Sequence, residues 1–242
     1  MTMPNEETAT TRALRGLGHA DASVRLRAAL AVGSNPDPRL IDRLVEQCRT
    51  EPDFSVREML TWALTRHSPA LTVPRLVGEL RSERAQARSQ ALHTLSKTGD
   101  RTLERTAEGT GDGTADGTGE RQAWPAITRA LLTDADDEVA RAAWRAAVVL
   151  VPEGEEPGLA AVLAEQLGRG ERETQLSLSR ALIALGEVVA PVLSTATAHP
   201  DPRVRQHALA TQQLLRDPDA GFEFAIEEAK RMVALGTYGQ EG

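Results

Sequence analysis

The sequence is poor in the features that mark secreted or membrane-spanning proteins. Its 242 residues include a single cysteine, which excludes an internal disulfide and fits a reducing cytoplasm. Aromatic residues make up only 3% of the chain. No apolar run approaches the roughly 20 residues that a transmembrane helix needs, and the acidic, polar first residues are unlike a secretory signal. We therefore expect a cytoplasmic protein that makes no membrane contact.

Motifs for catalysis and metal binding are also scarce. The lone thiol, Cys48, has no companion base at a recognisable spacing, so we expect a packed helical thiol rather than a nucleophile. The histidines are scattered along the chain, and neither His-Glu-x-x-His nor Cys-x-x-Cys occurs. The sequence therefore predicts no catalytic residue, no cofactor and no metal site.

What the chain does contain is a recurring motif, Asp-x-x-Val-Arg-x-x-Ala, in clear and weaker copies. The copies begin at Asp21, Asp53, Arg84, Asp136, Glu171 and Asp201. Successive copies lie 30–35 residues apart, except for one step of 52 residues. Self-similarity at this period is typical of a solenoid, in which each unit buries its apolar face against its neighbours. The motif thus predicts an all-α solenoid of about six helix pairs.

Each motif is predicted to begin the second helix of a pair, because its Asp can accept the unpaired backbone N–H groups of the first turn. We call the two helices of each pair A and B. The A helices are predicted at about 6–17, 39–49, 71–81, 123–132, 157–167 and 188–198. The B helices are predicted to begin at 22, 54, 83, 137, 171 and 202 and to span about twelve to sixteen residues each. Helix-ending residues are expected at Gly33, Gly99, Pro152 and Gly186.

Composition divides the chain into four segments. Residues 1–11 are expected to be a flexible N-terminus, and 12–216 a single solenoid. Within the solenoid, 106–120 is rich in Gly and Thr and is expected to be a flexible loop, because it has too few apolar residues to repay the entropy of ordering. Residues 217–236 are predicted to form an amphipathic helix that caps the last repeat, with a detachable segment as the alternative, and 237–242 a flexible tail.

The B helices carry a polar surface that is a candidate binding site. Counting from the motif Val, positions four and eight are apolar or small and define a buried stripe, and position seven is small throughout. Polar side chains concentrate at positions three and six, on the surface that a right-handed stack makes concave. The candidate partner-binding residues are Trp62, Arg66, His93, Arg145, Arg180 and His207. In the alternative interpretation, Trp62 packs into the helix interface and the others are merely solvated.

Charge is unevenly distributed along the chain. The net charge of −7 argues against general affinity for nucleic acid. From Arg12 to Arg105 there are 16 Lys and Arg against 11 Asp and Glu, whereas from Thr106 to Gly242 there are 12 against 22. A protein partner, acidic where it meets the basic half, and head-to-tail self-association are both compatible with this distribution. Chance variation in surface charge stays open as the alternative.

The motif at the start of a second helix, with a period near 31 residues, resembles the HEAT repeat, most closely the short variety named for the phycobilin lyases. The resemblance covers about 12–216, apart from the Gly-rich segment, and implies a right-handed α-α superhelix. It also implies a ladder in which the Arg and the Asp of the motif stack between repeats. The matching arginines are Arg25, Arg57, Arg88 and Arg205, whereas Ala140 and Gln175 depart from the pattern.

The repeat type serves scaffolds, lyases, regulators and DNA repair enzymes alike, so three functions are open. The first is a non-catalytic protein–protein interaction scaffold or adaptor. The second resembles the HEAT-repeat glycosylases that act on alkylated DNA, for which Trp62 and Trp144 with nearby arginines would hold the DNA, although the negative net charge opposes phosphate contacts. The third is a client binder similar to a bilin lyase or a chaperone.

Overall fold

Helices are the only regular secondary structure in the part of the chain that the computed structural model describes, namely residues 4–107, 123–217, 219 and 221–238. The prediction of an all-α protein is therefore confirmed. The chain forms two compact units, Met1–Thr128 and Arg129–Gly242. Among the described residues, no helix combines the length and the apolar character that crossing a bilayer requires.

The first unit contains six described helices. They are α1 (Pro4–Leu17), α2 (Ala22–Ser34), α3 (Ile41–Cys48), α4 (Phe54–Thr65), α5 (Pro69–Glu79) and α6 (Ala85–Ala107). A short 3-10 helix precedes α3 at Pro38–Leu40, and another follows α6 at Trp124–Ala126. In this unit α2, α4 and α6 are the B helices, and each begins within two residues of its predicted start.

The second unit continues the alternation of A and B helices. Its helices are α7 (Arg129–Leu132), α8 (Asp137–Leu150), α9 (Glu156–Ala164), α10 (Arg172–Ala184), α11 (Ala190–Ala196), α12 (Pro202–Arg216) and α13 (Phe222–Tyr238). A 3-10 helix at Gly186–Val189 precedes α11. Gly186 has φ +70 and ends α10 in the left-handed conformation that favours glycine, as the sequence predicts.

The motif aspartates cap the B helices as predicted. The side chain of Asp21 accepts the N–H of Ser23, and that of Asp53 accepts the N–H of Val56. The equivalent bonds in the second unit run to Asp136 from Glu138 and Val139, and to Asp201 from Arg203. Each bond satisfies a donor that the first turn of a helix leaves without an intrahelical partner. This local chemistry explains why the starts of these helices can be predicted from the sequence.

Successive B helices pack directly against each other inside each unit. In the first unit α4 lies between α2 and α6, and in the second unit α10 lies between α8 and α12. The contacts pair position five of one repeat with position seven of the next. They include the hydroxyl pair Thr61–Thr94 at 3.4 Å and the pair Ser179–Thr211 at 2.7 Å. Small side chains at position seven thus allow the close approach that the sequence predicts.

The C-terminal helix α13 covers the last B helix. Its inner face buries Phe222, Ile226 and Ala229, and these side chains pack on Ala210 and Leu214 of α12. The helix occupies the region where a capping helix is expected over 217–236. It ends at Tyr238, two residues later than expected.

Several boundaries differ from the expectation, and the largest shift is in the A helix expected at about 123–132, of which only Arg129–Leu132 is α-helical. Residues 4–11 belong to α1, which agrees with the A helix expected at about 6–17 and extends helix into the segment 1–11 that was also expected to be flexible. Helix α6 has 23 residues and continues through Gly99 to Ala107, whereas Gly99 was expected to end it. A single interior glycine costs a helix only about 1 kcal/mol, and no proline follows within α6, so the helix tolerates it. Gly33 likewise lies inside α2. Of the expected loop at 106–120, residues 108–120 lie outside the described residues.

Candidate interaction surface

The motif arginines close the turn of their own repeat. In each case Nη1 donates to the carbonyl oxygens six and five residues earlier, at 2.7–3.1 Å. The donors are Arg25, Arg57, Arg88 and Arg205, and the acceptors are the pairs His19/Ala20, Glu51/Pro52, Ser82/Glu83 and His199/Pro200. These bonds lie within one repeat. The Nη1 atoms therefore do not form the ladder between repeats that the resemblance implies. They satisfy carbonyls of the A–B turn and hold helix B to the end of helix A.

Repeats four and five replace the missing guanidinium in two ways. Gln175 donates from Nε2 to the carbonyl of Gly170, five residues earlier, at 3.2 Å. In repeat four, where Ala140 stands at the motif position, Arg169 of the next repeat donates to the carbonyl of Asp134, six residues before Ala140. The same turn position is therefore satisfied from a different place in the sequence.

Arg25 also forms a buried ion pair with the next repeat. Its Nε and Nη2 atoms donate to the two carboxylate oxygens of Glu51 at 2.7 and 2.6 Å. Glu51 is fully buried, and it also accepts hydrogen bonds from Gln47 Nε2 and from the N–H of Asp53, both at 3.0 Å. Burial alone would raise the pKa of Glu51, but the hydrogen bonds from Arg25, Gln47 and Asp53 hold this pKa below its usual value. This pair is structural and is closed to solvent.

The lone cysteine is an inert core residue, as expected. Cys48 is buried at the end of α3. Burial, with the nearby carboxylates of Glu51 and Glu79, raises the pKa of its thiol to about 12. The thiolate that would be needed for nucleophilic attack is therefore negligible at neutral pH.

His207 belongs to the core, so its assignment to an exposed binding surface is wrong. Its side chain is fully buried. Nδ1 accepts the N–H of Gly168 at 3.0 Å, and Nε2 lies 3.0 Å from both the carbonyl of Gln175 and the hydroxyl of Ser179. Because Nδ1 is an acceptor, Nε2 carries the proton and donates it. Burial lowers the pKa of His207 to about 4, so the neutral imidazole is the stable form.

Trp62 stands on the exposed side of the contact between α2 and α4. Its ring packs over Gly33, and a Cβ added at Gly33 would lie 2.2 Å from Cζ3 of the indole and 2.9 Å from Cα of Ala63. The indole therefore fills the volume that any other side chain at position 33 would need. Even so, 37% of Trp62 is exposed. The residue is thus held in place by the helix contact and still presents part of its ring to solvent.

Charged side chains surround Trp62 on the same helix. Glu58 and Arg66 lie four residues before and after it, which places all three on one face of α4. Arg66 is exposed at the C-terminal end of α4. His93 of α6 lies beside this face, since its Nε2 is 3.1 Å from Oε1 of Glu58. We call the residues Glu58, Trp62, Arg66 and His93 the α4 face. Three of the predicted residues therefore lie on one surface of the first unit.

The second unit presents its own pair of exposed arginines. Arg145 on α8 and Arg180 on α10 are exposed and occupy position six of adjacent repeats, whose B helices pack together. Arg141, through its hydrogen bond and its charge, and then Arg145 lower the pKa of Glu173. The neighbouring Trp144 is fully buried, and its indole N–H donates to the carbonyl of Leu132 at 2.8 Å.

Two members of the first unit's exposed surface are missing from the sequence-based set. Leu30 stands at position six of the first repeat and is 45% exposed. Leu30 stands at the same motif position as Trp62 and His93. It is apolar, so the criterion of a polar side chain does not select it. Glu58 is beside the motif arginine in sequence, and only the packing of α4 on α6 shows that it meets His93.

Comparisons with known proteins leave the family of the chain open. No protein-family model and no curated protein matches the sequence. Among solved structures, this chain is similar to the crystal structure of an engineered protein from the Northeast Structural Genomics Consortium. The match covers 94% of this chain and 98% of the engineered chain. The two chains are 19% identical, with a TM-score of 0.46, so the likeness carries no conclusion about function.

Proposed function

We propose that the protein is a non-catalytic interaction scaffold that binds a protein partner through the exposed face of its B helices. The observation that supports this proposal most directly is the position of the Trp62 side chain. Its ring is fixed against Gly33 by packing, is partly exposed, and is flanked by Glu58 and Arg66 on the same helix face. An aromatic anchor beside an arginine is the side-chain chemistry that dominates protein–protein binding energy.

Preorganisation supports the same proposal. A free surface Trp loses rotamer entropy when it is buried by a partner, at a cost of about 0.5–1.5 kcal/mol. The ring of Trp62 already packs over Gly33, so much of that rotamer entropy is lost when the protein folds. The α4 face is therefore suited to take part in binding without rearrangement.

We further propose that the six helix pairs form a right-handed superhelix of HEAT type in the cytoplasm. The repeated packing of B helix on B helix within each unit supports this arrangement. In such a superhelix the α4 face, Arg145 and Arg180 would lie on the concave surface. The exposed arginines on this surface would suit an acidic partner.

Binding to alkylated DNA receives less support. That function requires exposed aromatic rings that can stack on bases, whereas Trp144 is fully buried and its N–H is already used by the carbonyl of Leu132. Trp62 remains as an exposed tryptophan, next to a carboxylate that repels phosphate. No described feature favours a bilin-lyase or chaperone role over a general scaffold.

Affinity capture with matched variants tests the proposal. The wild-type chain, Trp62→Ala and Leu71→Ala are immobilised at equal density, and the proteins retained from cytosolic extract are quantified by mass spectrometry. Leu71 is the control because it is 41% exposed and apolar but lies on an A helix, α5. A specific partner should be depleted at least about tenfold by Trp62→Ala and retained by Leu71→Ala. Equal retention by all three chains would show that the α4 face is not the binding site.

A further inference from the structure

Helix α13 carries large apolar side chains on two opposite faces. Its inner face is used by the fold, since Phe222, Ile226 and Ala229 pack against α12. Its outer face carries Phe224, which is 58% exposed, and Leu235, which is 73% exposed. Met232, 42% exposed, lies one turn from Leu235. Leu235 is the most exposed large apolar side chain in the part of the chain that the structure describes.

This outer face is not what a capping helix needs. A helix that closes a stack of repeats buries one face and keeps the other polar for solubility. Phe224 and Leu235 add nothing to the core beneath α13, because the buried residues lie on the opposite side of the helix. Large apolar side chains that gather on one exposed face of an element, unlike single scattered ones, are a mark of an association site.

The residues of the outer face are spaced as in a coiled-coil seam. Phe224, Glu228, Arg231 and Leu235 follow one another at intervals of four, three and four residues, which is the spacing of heptad a and d positions. The two central residues carry opposite charges, and Arg231 Nη1 lies 3.3 Å from Oε2 of Glu228. The seam thus has an apolar residue at each end and one charge of each sign in the middle.

We propose that two copies of this chain associate through α13, with the two helices antiparallel about a two-fold axis midway between Ala229 and Lys230. Phe224 and Leu235 are equidistant from that axis along the helix, and so are Glu228 and Arg231. An antiparallel pair therefore places Phe224 against Leu235 of the second copy at both ends. In the middle it places Glu228 against Arg231 of the second copy, twice.

The order of the charges selects this occupant. A parallel pair would put Glu228 against Glu228 and Arg231 against Arg231, which are repulsive contacts. The antiparallel pair makes only attractive ones. An unrelated partner would not require opposite charges at equal distances from the centre of the seam. Self-complementarity of this kind is what an isologous two-fold interface needs.

The association should be weak. One pair of helices buries less than the roughly 1,200 Å² of a standard-size interface, so we expect a dissociation constant of about 10–100 µM. The dimer should therefore form at high protein concentration and dissociate on dilution. The residues of α13 that would form the dimer are not part of the α4 face. Absence of the dimer would therefore not contradict the proposed scaffold function.

A charge-swap series measured by sedimentation equilibrium tests the proposal. The chains are the wild type, Glu228→Arg, Arg231→Glu and the double variant with both changes. Each single change places like charges opposite each other at two symmetric contacts and should weaken dimerisation at least about tenfold. The double variant restores opposite charges and should dimerise within about threefold of the wild type. Of the two changed sites, Arg231 is exposed and Glu228 is partly exposed, and circular dichroism at each concentration confirms folding.

Disulfide trapping gives an independent measurement. Phe224→Cys and Leu235→Cys are prepared as separate chains and oxidised alone and as a mixture, while buried Cys48 serves as the internal unreactive thiol. Only the mixture should give a cross-linked dimer, joining position 224 of one chain to position 235 of the other. A wild type that stays monomeric at about 500 µM, well above the expected constant, overturns the proposal. So does a charge swap that fails to restore the dimer, or cross-linking of Phe224→Cys to itself.

Discussion

Gly33 and Trp62 are matched across the contact between α2 and α4. The ring of Trp62 occupies the volume in which a Cβ at position 33 would lie, 2.2 Å from that Cβ, with the backbone of Ala63 at 2.9 Å. Backbone cannot move aside as the end of a flexible side chain can. The glycine therefore fixes both the closeness of the two helices and the position of the ring that we propose as the binding anchor.

Gly33→Ala should consequently destabilise the protein and displace Trp62. We expect a loss of about 1–3 kcal/mol in the free energy of unfolding, as for other overpacked contacts. Gly78→Ala is the matched control, because Gly78 lies inside α5 with nothing within 4 Å of its added Cβ. This control should be neutral or more stable by about 0.5–1 kcal/mol. Urea unfolding of both variants checks the expectation, and equal stability of the two would show that the contact is less tight than the structure gives.

Arg25→Ala should cost more than the same change at another motif arginine. It removes two turn hydrogen bonds and leaves Glu51 fully buried without its cation, so we expect a loss of about 3–5 kcal/mol. Arg205→Ala is the control, because Arg205 makes equivalent bonds to the turn at His199 and Pro200 and is more exposed. Its loss should be nearer about 1–2 kcal/mol.

The Arg25–Glu51 pair also predicts a direction for the effect of pH. The folded-state pKa of Glu51 lies below its usual value, so the carboxylate stabilises the fold above the unfolded pKa. That contribution is lost as the pH falls through the lower, folded-state pKa. Unfolding curves for the wild type and for the double variant Arg25→Met with Glu51→Leu should converge in stability under acid conditions. A difference independent of pH would mean that the pair does not govern this part of the acid response.

The free energy of unfolding of the wild-type protein should fall as the pH is lowered from neutral to mildly acid, because of His207. Its folded-state pKa of about 4 is below the value of about 6.5 expected for the unfolded chain, so the unfolded chain binds the proton first. The contribution is complete above pH 6.5 and is lost as the pH falls towards 4, by about 2 kcal/mol at pH 5.

Comparison of His207→Gln with the wild type isolates this effect. The destabilisation caused by His207→Gln should be smaller at pH 5 than at pH 7 by about 2 kcal/mol. His199→Gln is the control, because His199 is exposed. Denaturant unfolding at the two pH values gives both differences. An equal destabilisation at the two pH values would mean that His207 accepts a proton in the folded protein.

These contacts show which parts of the structure can be predicted from neighbouring residues in the sequence. The starts of the B helices can be predicted because Asp21 or Asp53 caps the helix that immediately follows it. The burial of His207 cannot, because it depends on Gly168 and Ser179, which lie in another repeat. Arg27 stands at the same motif position in the first repeat and is exposed, so the position alone does not decide burial.

The exposed surface could also be predicted only where it depends on local sequence. The period of the helix places Trp62 and Arg66 on one face of α4 without any tertiary information. The sequence does not reveal that Gly33 makes room for the ring, since a glycine near the end of a helix reads equally well as a stop signal. Nor does it reveal that α6 continues past Gly99, because the tolerance of a helix for one glycine depends on how its neighbours pack.

Charge reversal on the proposed binding surface gives the last prediction. The double variant Arg66→Glu with Arg145→Glu changes two exposed side chains, one in each unit. Exposed charges contribute little to folding, typically below about 1 kcal/mol, so the melting temperature should change by only a few degrees. Capture of an acidic partner should nevertheless be abolished, because both changes place carboxylates where the partner meets the surface. Thermal unfolding and pull-down at physiological salt measure the two effects.

The matched control reverses the same number of charges on A helices. Arg75→Glu with Arg129→Glu changes exposed arginines that pair with Asp42 and Glu165, away from the B helices. Because its change in net charge is identical, it separates a local effect on the binding surface from a general loss of attraction for acidic proteins. We expect this control to fold and to keep the partner. If the test variant unfolds, Arg66 or Arg145 has a structural role. If it folds and captures every protein that the wild type captures, the partner binds elsewhere on the molecule.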